Sequence, residues 1–98
     1  MSGLVSKAIL QGYIVVPDED LDEILNELPI HIKLTREENG CTNFQVDQSP
    51  SAVRRFDVYE EFIDQDSFET HQERVSGSRW GMITKNVSRH YKVETVNQ

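Results

Sequence analysis

Residues 8–16, with the sequence AILQGYIVV, limit how this chain can fold more than any other segment. Drawn as an extended strand, the segment carries apolar side chains on both sides: Ile9, Tyr13 and Val15 on one, and Leu10, Ile14 and Val16 on the other. A strand with two apolar faces has to be covered on both, because each exposed apolar face costs free energy in water. The chain must therefore provide one covering layer itself and find a second.

The rest of the chain alternates between helical and strand patterns. After Pro17, an acidic run favours a helix start, and apolar residues then recur at helical spacing from Leu21 to Thr35. Within this helix Pro29 predicts a kink or a restart, and Gly40 predicts a left-handed residue at its end. The remaining predicted elements are strands over 41–47, 53–63 and 86–94, a helix over 65–75 and a short helical turn over 79–85.

The resulting order, β-α-β-β-α-β, predicts an α+β fold of the ferredoxin-like type, in which two helices lie on one face of a four-stranded antiparallel sheet. A chain of 98 residues forms a single domain, with its core over about 8–94. Two helices cover only one face of such a sheet. We therefore expect a homodimer in which a second copy of the sheet covers the other face.

The charge balance and the composition exclude several classes of partner. With 10 basic and 17 acidic residues, the formal net charge is −7, so no nucleic acid is expected as a partner, because nucleic acids bind to a positive face. The longest mostly apolar run is far shorter than the roughly 20 residues that span a bilayer, and the first residues lack the order of a signal peptide. We expect a cytoplasmic protein without membrane contact. A single cysteine, with no glycine-rich phosphate loop and no metal-ligand spacing, predicts no disulfide, cofactor or metal.

Two titratable side chains are predicted on the apolar sides of their elements. Glu60 faces the same way as the apolar residues of strand 53–63, and His71 lies between Phe68 and Val75 on the inward stripe of helix 65–75. Asp64 is the predicted N-cap that starts this helix. A carboxylate and an imidazole that face each other across one interior are the groups that a small pocket would use.

Each of these side chains also has a purely structural interpretation. His71 acts either as a proton acceptor or as a core histidine satisfied by a backbone carbonyl or by Glu60. Glu60 either orients His71 or pairs with Arg89, and we favour the ion pair because buried charges are usually paired. For His31 we favour a half-exposed helix position, with a place in the pocket as the alternative. Trp80 is either a pocket wall that stacks on a flat substrate or an ordinary core residue.

Three pieces of the sequence, in this order and spacing, resemble the antibiotic biosynthesis monooxygenase domain family. They are LPIHIKLTREENGC (28–41), VYEEFIDQDSFETHQERVSGSRW (58–80) and VSRHYKV (87–93). The resemblance covers residues 9–93 and implies a dimeric α+β barrel with a pocket between helices and sheet. It also implies several reactions. Some members are cofactor-independent monooxygenases that oxidise anthrone-like or quinol substrates with dioxygen, and others degrade haem or process an autoinducer.

The haem-degrading members, as the resemblance goes, combine the histidine with an asparagine on the first strand. This chain has Gln11 there, and Asn43 on the second strand does not match. We therefore expect a cofactor-independent monooxygenase that oxidises a small aromatic or quinol-type substrate with dioxygen. Its candidate catalytic residues are His71 and Glu60, and its candidate pocket residues are Phe68, Trp80, His31, Asn43 and Arg89. The alternatives are a dimeric barrel that binds a small ligand without turning it over, or an isomerase of the same fold.

Overall fold

A computed structural model describes residues 6–97. The strands are β1 (Ser6–Val15), β2 (Cys41–Gln48), β3 (Arg55–Phe62) and β4 (Ser88–Asn97), and the helices are α1 (Leu21–Arg36), α2 (Gln65–Ser76) and α3 (Arg79–Ile83). The four strands form one antiparallel sheet in the order β2-β3-β1-β4. The α+β, ferredoxin-like fold predicted from the sequence is confirmed. Within residues 6–97, no helix is both long enough and apolar enough to cross a membrane.

The helices cover one face of the sheet, and the core lies between them. The inward face of β1 is fully buried, while its outward residues Ile9, Tyr13 and Val15 are half-buried. On that outward face the Tyr13 ring stacks on His90, with 4.5 Å between ring centroids, and the Arg55 guanidinium lies 3.9 Å from the Tyr13 ring. The core is formed by Ala8, Leu10, Ile14, Val16, Ile24, Leu28, Phe44, Val46, Phe56, Val58, Phe62, Phe68 and Val87.

Helix α1 continues through Pro29 as one segment, so the predicted restart is wrong. Pro29 lies on the exposed side of the helix together with Leu25. The carbonyl of Leu25, which loses its helical partner to the proline ring, is therefore on the side that water can reach. Ile30 and Leu34 are also exposed.

The final strand β4 is displaced from its predicted position. It begins at Ser88 rather than at residue 86, and it extends to Asn97. All ten of its residues are exposed, and β4 is an edge strand that pairs only with β1 in the described part of the chain. Val87, which was expected within the strand, is buried just before it.

Two glycines allow close approaches between elements. Gly12 has a φ of 154°, and a Cβ there would overlap the carbonyl oxygen of His90 on β4. Gly40 does not adopt the predicted left-handed conformation, since Gly12 alone has a positive φ among residues 6–97. The sequence-based reason for Gly40 was wrong. Gly40 is buried against the first turn of α2, and a Cβ there would overlap the side chain of Ser67.

Replacing Gly40 with alanine should lower the free energy of unfolding by about 1–3 kcal/mol, as overpacked sites do. The new methyl group meets both Oγ and Cβ of Ser67, and rotating the hydroxyl relieves only the first overlap. In a Ser67→Gly background the same change should cost markedly less, although Ser67→Gly itself weakens the helix by about 1 kcal/mol. Denaturant unfolding of the four proteins measures this coupling. Equal costs in both backgrounds would show that Gly40 has another role.

Candidate active site

A pocket of about 220 Å³ lies between the helices and the sheet. Polar and apolar atoms contribute about equally to its walls. The lining residues are Leu10, Ile14, His31, Phe44, Val46, Val58, Glu60, His71, Gln72, Val75, Trp80, Thr84, Val87, Arg89 and Tyr91. A cavity in which apolar walls and convergent polar groups meet is a candidate small-molecule site.

Helix α2 brings His71 to this pocket. The helix starts as predicted, with Asp64 Oδ1 accepting a hydrogen bond from the Ser67 amide at 2.8 Å. His71 then falls on the buried side, where its ring lies between Phe62 and Phe44 at centroid distances of 4.9 and 5.9 Å. Its side chain is 2% exposed. The imidazole therefore lies in the wall of the pocket and is almost completely enclosed.

Glu38 fixes the tautomer of this imidazole. The two carboxylate oxygens of Glu38 lie 3.0 and 3.1 Å from His71 Nδ1. Since an ionised carboxylate can only accept, Nδ1 carries the hydrogen, and the Nε2 lone pair points the other way. Burial lowers the pKa of His71, although Glu38 opposes this effect. His71 is therefore neutral at pH 7 and acts as a hydrogen-bond donor to Glu38.

Arg74 completes this arrangement on the outer side. Its Nε donates to Glu38 Oε2 at 2.6 Å, and its Nη2 donates to Thr35 Oγ1 at 3.1 Å. Glu38 and Arg74 were both missed at the level of sequence, where Glu38 was one of two adjacent carboxylates just beyond a helix. The feature of the sequence that could have indicated Glu38 is Gly40. It follows Glu38 closely and lets this segment pack against α2.

Glu60 lies on the opposite side of the imidazole. Its Oε1 is 3.7 Å from His71 Nε2, and this oxygen is buried without a hydrogen-bond partner among residues 6–97. Burial raises the pKa of Glu60 to about 7, and the negative charge of Glu38 adds to the effect. A carboxyl group with such a pKa can both accept and release a proton near neutral pH.

The favoured ion pair between Glu60 and Arg89 is wrong. Glu60 is opposite Leu10, and the β4 partner of Leu10 is Val93, so Arg89 lies four residues farther along the strand. Arg89 instead donates from Nη2 to the carbonyl oxygen and the hydroxyl of Thr84, at 3.1 and 3.3 Å. It lines the pocket as an exposed cation.

The rings of His31 and Trp80 stack on each other in the wall of the pocket. His31 is 5% exposed, so the half-exposed position favoured from the sequence is wrong. Its ring is parallel to Trp80, with 4.6 Å between centroids and 6° between planes, and it meets Phe44 edge-on at 5.4 Å. Burial lowers the pKa of His31 to about 3, with further contributions from His71 and Arg74. His31 is therefore uncharged, and its Nδ1 has no hydrogen-bond partner in the described part of the chain.

Two residues expected in the pocket lie outside it. Phe68 packs its edge against Phe62 at 5.8 Å and belongs to the core. Asn43 follows an irregularity in β2 and pairs with Glu61, whose side chain is on the outward face of the sheet, and its Oδ1 accepts from Gln45. Within residues 6–97, no group of three or more His, Cys, Asp or Glu side chains is arranged to hold a metal ion.

Comparisons with known proteins agree with this architecture. A family model described as antibiotic biosynthesis monooxygenase matches residues 8–77, which is well over half of the chain and includes Glu38, Glu60 and His71. No curated protein sequence matches the chain.

Solved structures share the fold at low sequence identity. A Nitrosomonas europaea protein, named as a candidate antibiotic biosynthesis monooxygenase, is 18% identical with a TM-score of 0.72, and the alignment covers 92% of this chain and 94% of that one. A Pseudomonas aeruginosa protein is 17% identical with a TM-score of 0.72, over 96% and 94% of the two chains. A Shewanella oneidensis protein is 19% identical with a TM-score of 0.67, over 95% and 91%. At these identities the likeness establishes the fold and leaves the reaction open.

Proposed function

This chain belongs to the antibiotic biosynthesis monooxygenase family, and on that premise we propose that it is a cofactor-independent monooxygenase that oxidises a small aromatic or quinol-type substrate with dioxygen. The observation that carries the proposal is the series Glu60, His71 and Glu38, in which the enclosed imidazole lies between two carboxyl groups and Glu60 lines the pocket. These groups supply a proton acceptor where the surroundings exclude most water. A hydroxyarene has to lose its hydroxyl proton to such an acceptor before it can react with dioxygen.

The reaction follows from removal of one proton. A substrate hydroxyl loses its proton to the pair formed by Glu60 and His71, and the O–H bonding electrons remain on the substrate. The resulting anion is electron-rich and transfers electrons to dioxygen. One oxygen atom enters the product, and the other leaves as water with the two hydrogens that the substrate loses. The substrate is oxidised, and dioxygen is reduced.

Other lining residues fit this chemistry. Glu38 is a positioning residue, because its hydrogen bond to Nδ1 directs the Nε2 lone pair of His71 towards Glu60. Arg89 is the cationic side chain among the lining residues, and it would attract the substrate anion. Trp80, stacked on the buried His31, lines the pocket, and its indole ring is a partner for an aromatic substrate ring.

The size of the pocket restricts the substrate. Its volume of about 220 Å³ is below the roughly 300 Å³ at which pockets for drug-sized ligands begin. A hydroxyarene with one or two fused rings is therefore a better fit than a larger polycycle. A panel of dihydroxyarenes tests the function, with oxygen consumption as the readout and incorporation of one labelled oxygen atom into the product as the check. No consumption above that in buffer would favour a binding module.

We also propose that the protein is a homodimer. The outward face of β1 and the exposed Val96 of β4, which pairs with Lys7 on the same face, leave apolar side chains in water, and a second copy of the sheet would cover them. Sedimentation at micromolar concentration should give the mass of a dimer. Val96→Glu should shift the protein towards monomer, whereas Met82→Glu on α3, at an even more exposed apolar residue, should not. A wild-type protein that sediments as a folded monomer would contradict this proposal.

A further inference from the structure

His71 connects two cavities that open in different places. On one side it lines the pocket between helices and sheet. On the other side its partner Glu38 lines a separate surface groove, which we call the Glu38 groove and which is formed with Gly40, Asp64, Thr70 and Arg74. The imidazole ring joins them, because its Nδ1 contacts Glu38 of the groove at 3.0 Å and its Nε2 lies 3.7 Å from Glu60 of the pocket.

The exposure of the three acid–base groups follows this geometry. The Glu60 side chain is 10% exposed, His71 is 2% exposed and Glu38 is 17% exposed. The enclosed imidazole thus lies between two carboxyl groups that are each more open. A substrate in the pocket would therefore meet Glu60 before His71, and water in the groove would meet Glu38.

We propose that Glu60, His71 and Glu38 form a proton relay between the pocket and the Glu38 groove. Glu60 takes the proton from the substrate, and His71 passes a proton on to Glu38, which releases it to water. The relay rests on the proposed function, because it needs a substrate that gives up a proton in the pocket. Beyond that function, the relay assigns contact with the substrate to Glu60, and it places the exit of the proton at the Glu38 groove.

Each step of the relay balances. The substrate O–H bond breaks, its electron pair stays on oxygen, and the proton is transferred to Glu60. Glu60 gives a proton to His71 Nε2, His71 gives the Nδ1 proton to Glu38, and Glu38 gives it to water. Both carboxylates regain their charge, and the imidazole has changed tautomer. The reverse sequence later carries a proton from water to the reduced oxygen atom that leaves as water, which restores the tautomer.

The charged and titratable groups around His71 favour transfer through a neutral ring. They are Glu60 from β3, Glu38 from the segment after α1, Arg74 from α2 and His31 from α1, whose ring lies 6.2 Å away. Arg74 balances the charge of Glu38 through its hydrogen bond at 2.6 Å. Burial lowers the pKa of His71, and an imidazole that stays neutral can accept on one nitrogen while it donates from the other.

A first test needs no ligand. Nitrogen-15 NMR of the histidine side chains should show His71 as the neutral Nδ1–H tautomer at pH 7. In Glu38→Gln the folded protein should be retained, because the amide oxygen still accepts from Nδ1. A wild-type His71 that is doubly protonated, or that carries its hydrogen on Nε2, would overturn the relay.

A second test follows the proton itself. Wild type is mixed without oxygen with 2,3-dihydroxynaphthalene, whose anion absorbs at longer wavelength, at about pH 8 and above the pKa of Glu60 of about 7. A pH indicator reports proton release. In wild type, anion formation and proton release should have the same rate. In Glu38→Gln the anion should still form, but proton release should be slower by about 10²-fold, the low end of what a positioned acid–base group contributes.

Matched variants separate the two proposals. Glu37→Gln, at the adjacent exposed position that pairs with Lys33, should behave like wild type. Glu60→Gln should form no anion. If Glu38→Gln releases protons as fast as wild type, the relay is wrong while proton abstraction in the pocket stands. If wild type itself forms no anion, the proposed function is wrong, and the relay, which depends on it, is wrong as well.

Discussion

Replacing His71 with alanine should lower the rate of oxygen consumption with a dihydroxyarene by about 10²–10⁴-fold, the usual contribution of a positioned base. The loss is expected because Glu60 then has no neighbour to pass a proton to, and Glu38 loses its link to the pocket. His90→Ala is the matched control, since His90 stacks on Tyr13 at the outward face of the sheet. Its activity should remain close to that of wild type.

Stability has to be measured together with activity. The His71 side chain is enclosed by Glu38, Glu60 and two phenylalanine rings, so its removal leaves a cavity and a less satisfied carboxylate, which costs about 1–3 kcal/mol. The variant should therefore be assayed well below its melting temperature. If wild type and His71→Ala consume oxygen equally and differ only in melting temperature, His71 is a structural residue and the catalytic assignment is wrong.

The pH dependence provides a further check on the same assay. Burial raises the pKa of Glu60 to about 7, so its carboxylate, the form that accepts a proton, becomes available as pH rises through that value. Because the pKa of His71 is lowered, the imidazole is neutral over the same range and adds no opposing step. The rate should therefore rise with pH through about 7. A rate that falls over this range would contradict a base of this kind.

Replacing Glu60 with glutamine should abolish turnover and at the same time stabilise the protein by about 2–3 kcal/mol above pH 7. The pKa of Glu60 is raised from an ordinary value of 4.5 to about 7, so the folded chain holds the proton more tightly than the unfolded chain. Ionisation of Glu60 thus costs stability as pH rises from about 4.5 through 7, at about 1.4 kcal/mol for each pKa unit. Glutamine does not ionise and avoids this cost, although its amide must still be buried.

The neighbouring residue supplies a control with the opposite sign. Glu61 faces outward, and its pKa is lowered by the hydrogen bond from Thr42 and by those from Tyr59 and Lys7. Its ionised form is stabilising at neutral pH, and that contribution is lost as pH falls. Glu61→Gln should therefore destabilise the protein at pH 8 and leave turnover intact. Thermal melts of both variants at about pH 5 and about pH 8 measure the difference. A destabilised Glu60→Gln at pH 8 would show that the carboxylate is well accommodated.

Much of the fold could be predicted because the relevant patterns are local. The alternation of Phe56, Val58, Glu60 and Phe62 placed the carboxylate of Glu60 inside, and the structure buries all four. The spacing of Phe68 and His71 likewise placed both on the inward side of α2, and Asp64 marked its start. These predictions depend on the period of a strand or a helix and on a cap, which a short stretch of chain contains in full.

The failures share a different cause. Arg89 was misassigned because its strand pairs four residues out of step with Glu60. His31 was expected to be half-exposed, yet the distant Trp80 covers it. In each case the deciding contact comes from another element, and the residue's own surroundings in the chain do not contain it.

The sequence by itself determined the order of the elements and the placement of Glu60 and His71 in one interior. Only the tertiary structure decided which groups meet there. Glu38 reaches His71 across 33 residues of chain because Gly40 lets the segment after α1 pack against the first turn of α2. Whether a side chain faces inward depends on the local periodicity of its helix or strand. The hydrogen bond between His71 and Glu38 at 3.0 Å depends instead on how two whole elements pack against each other. The acid–base series therefore arises from packing, and the residues that define it become visible only in the folded chain.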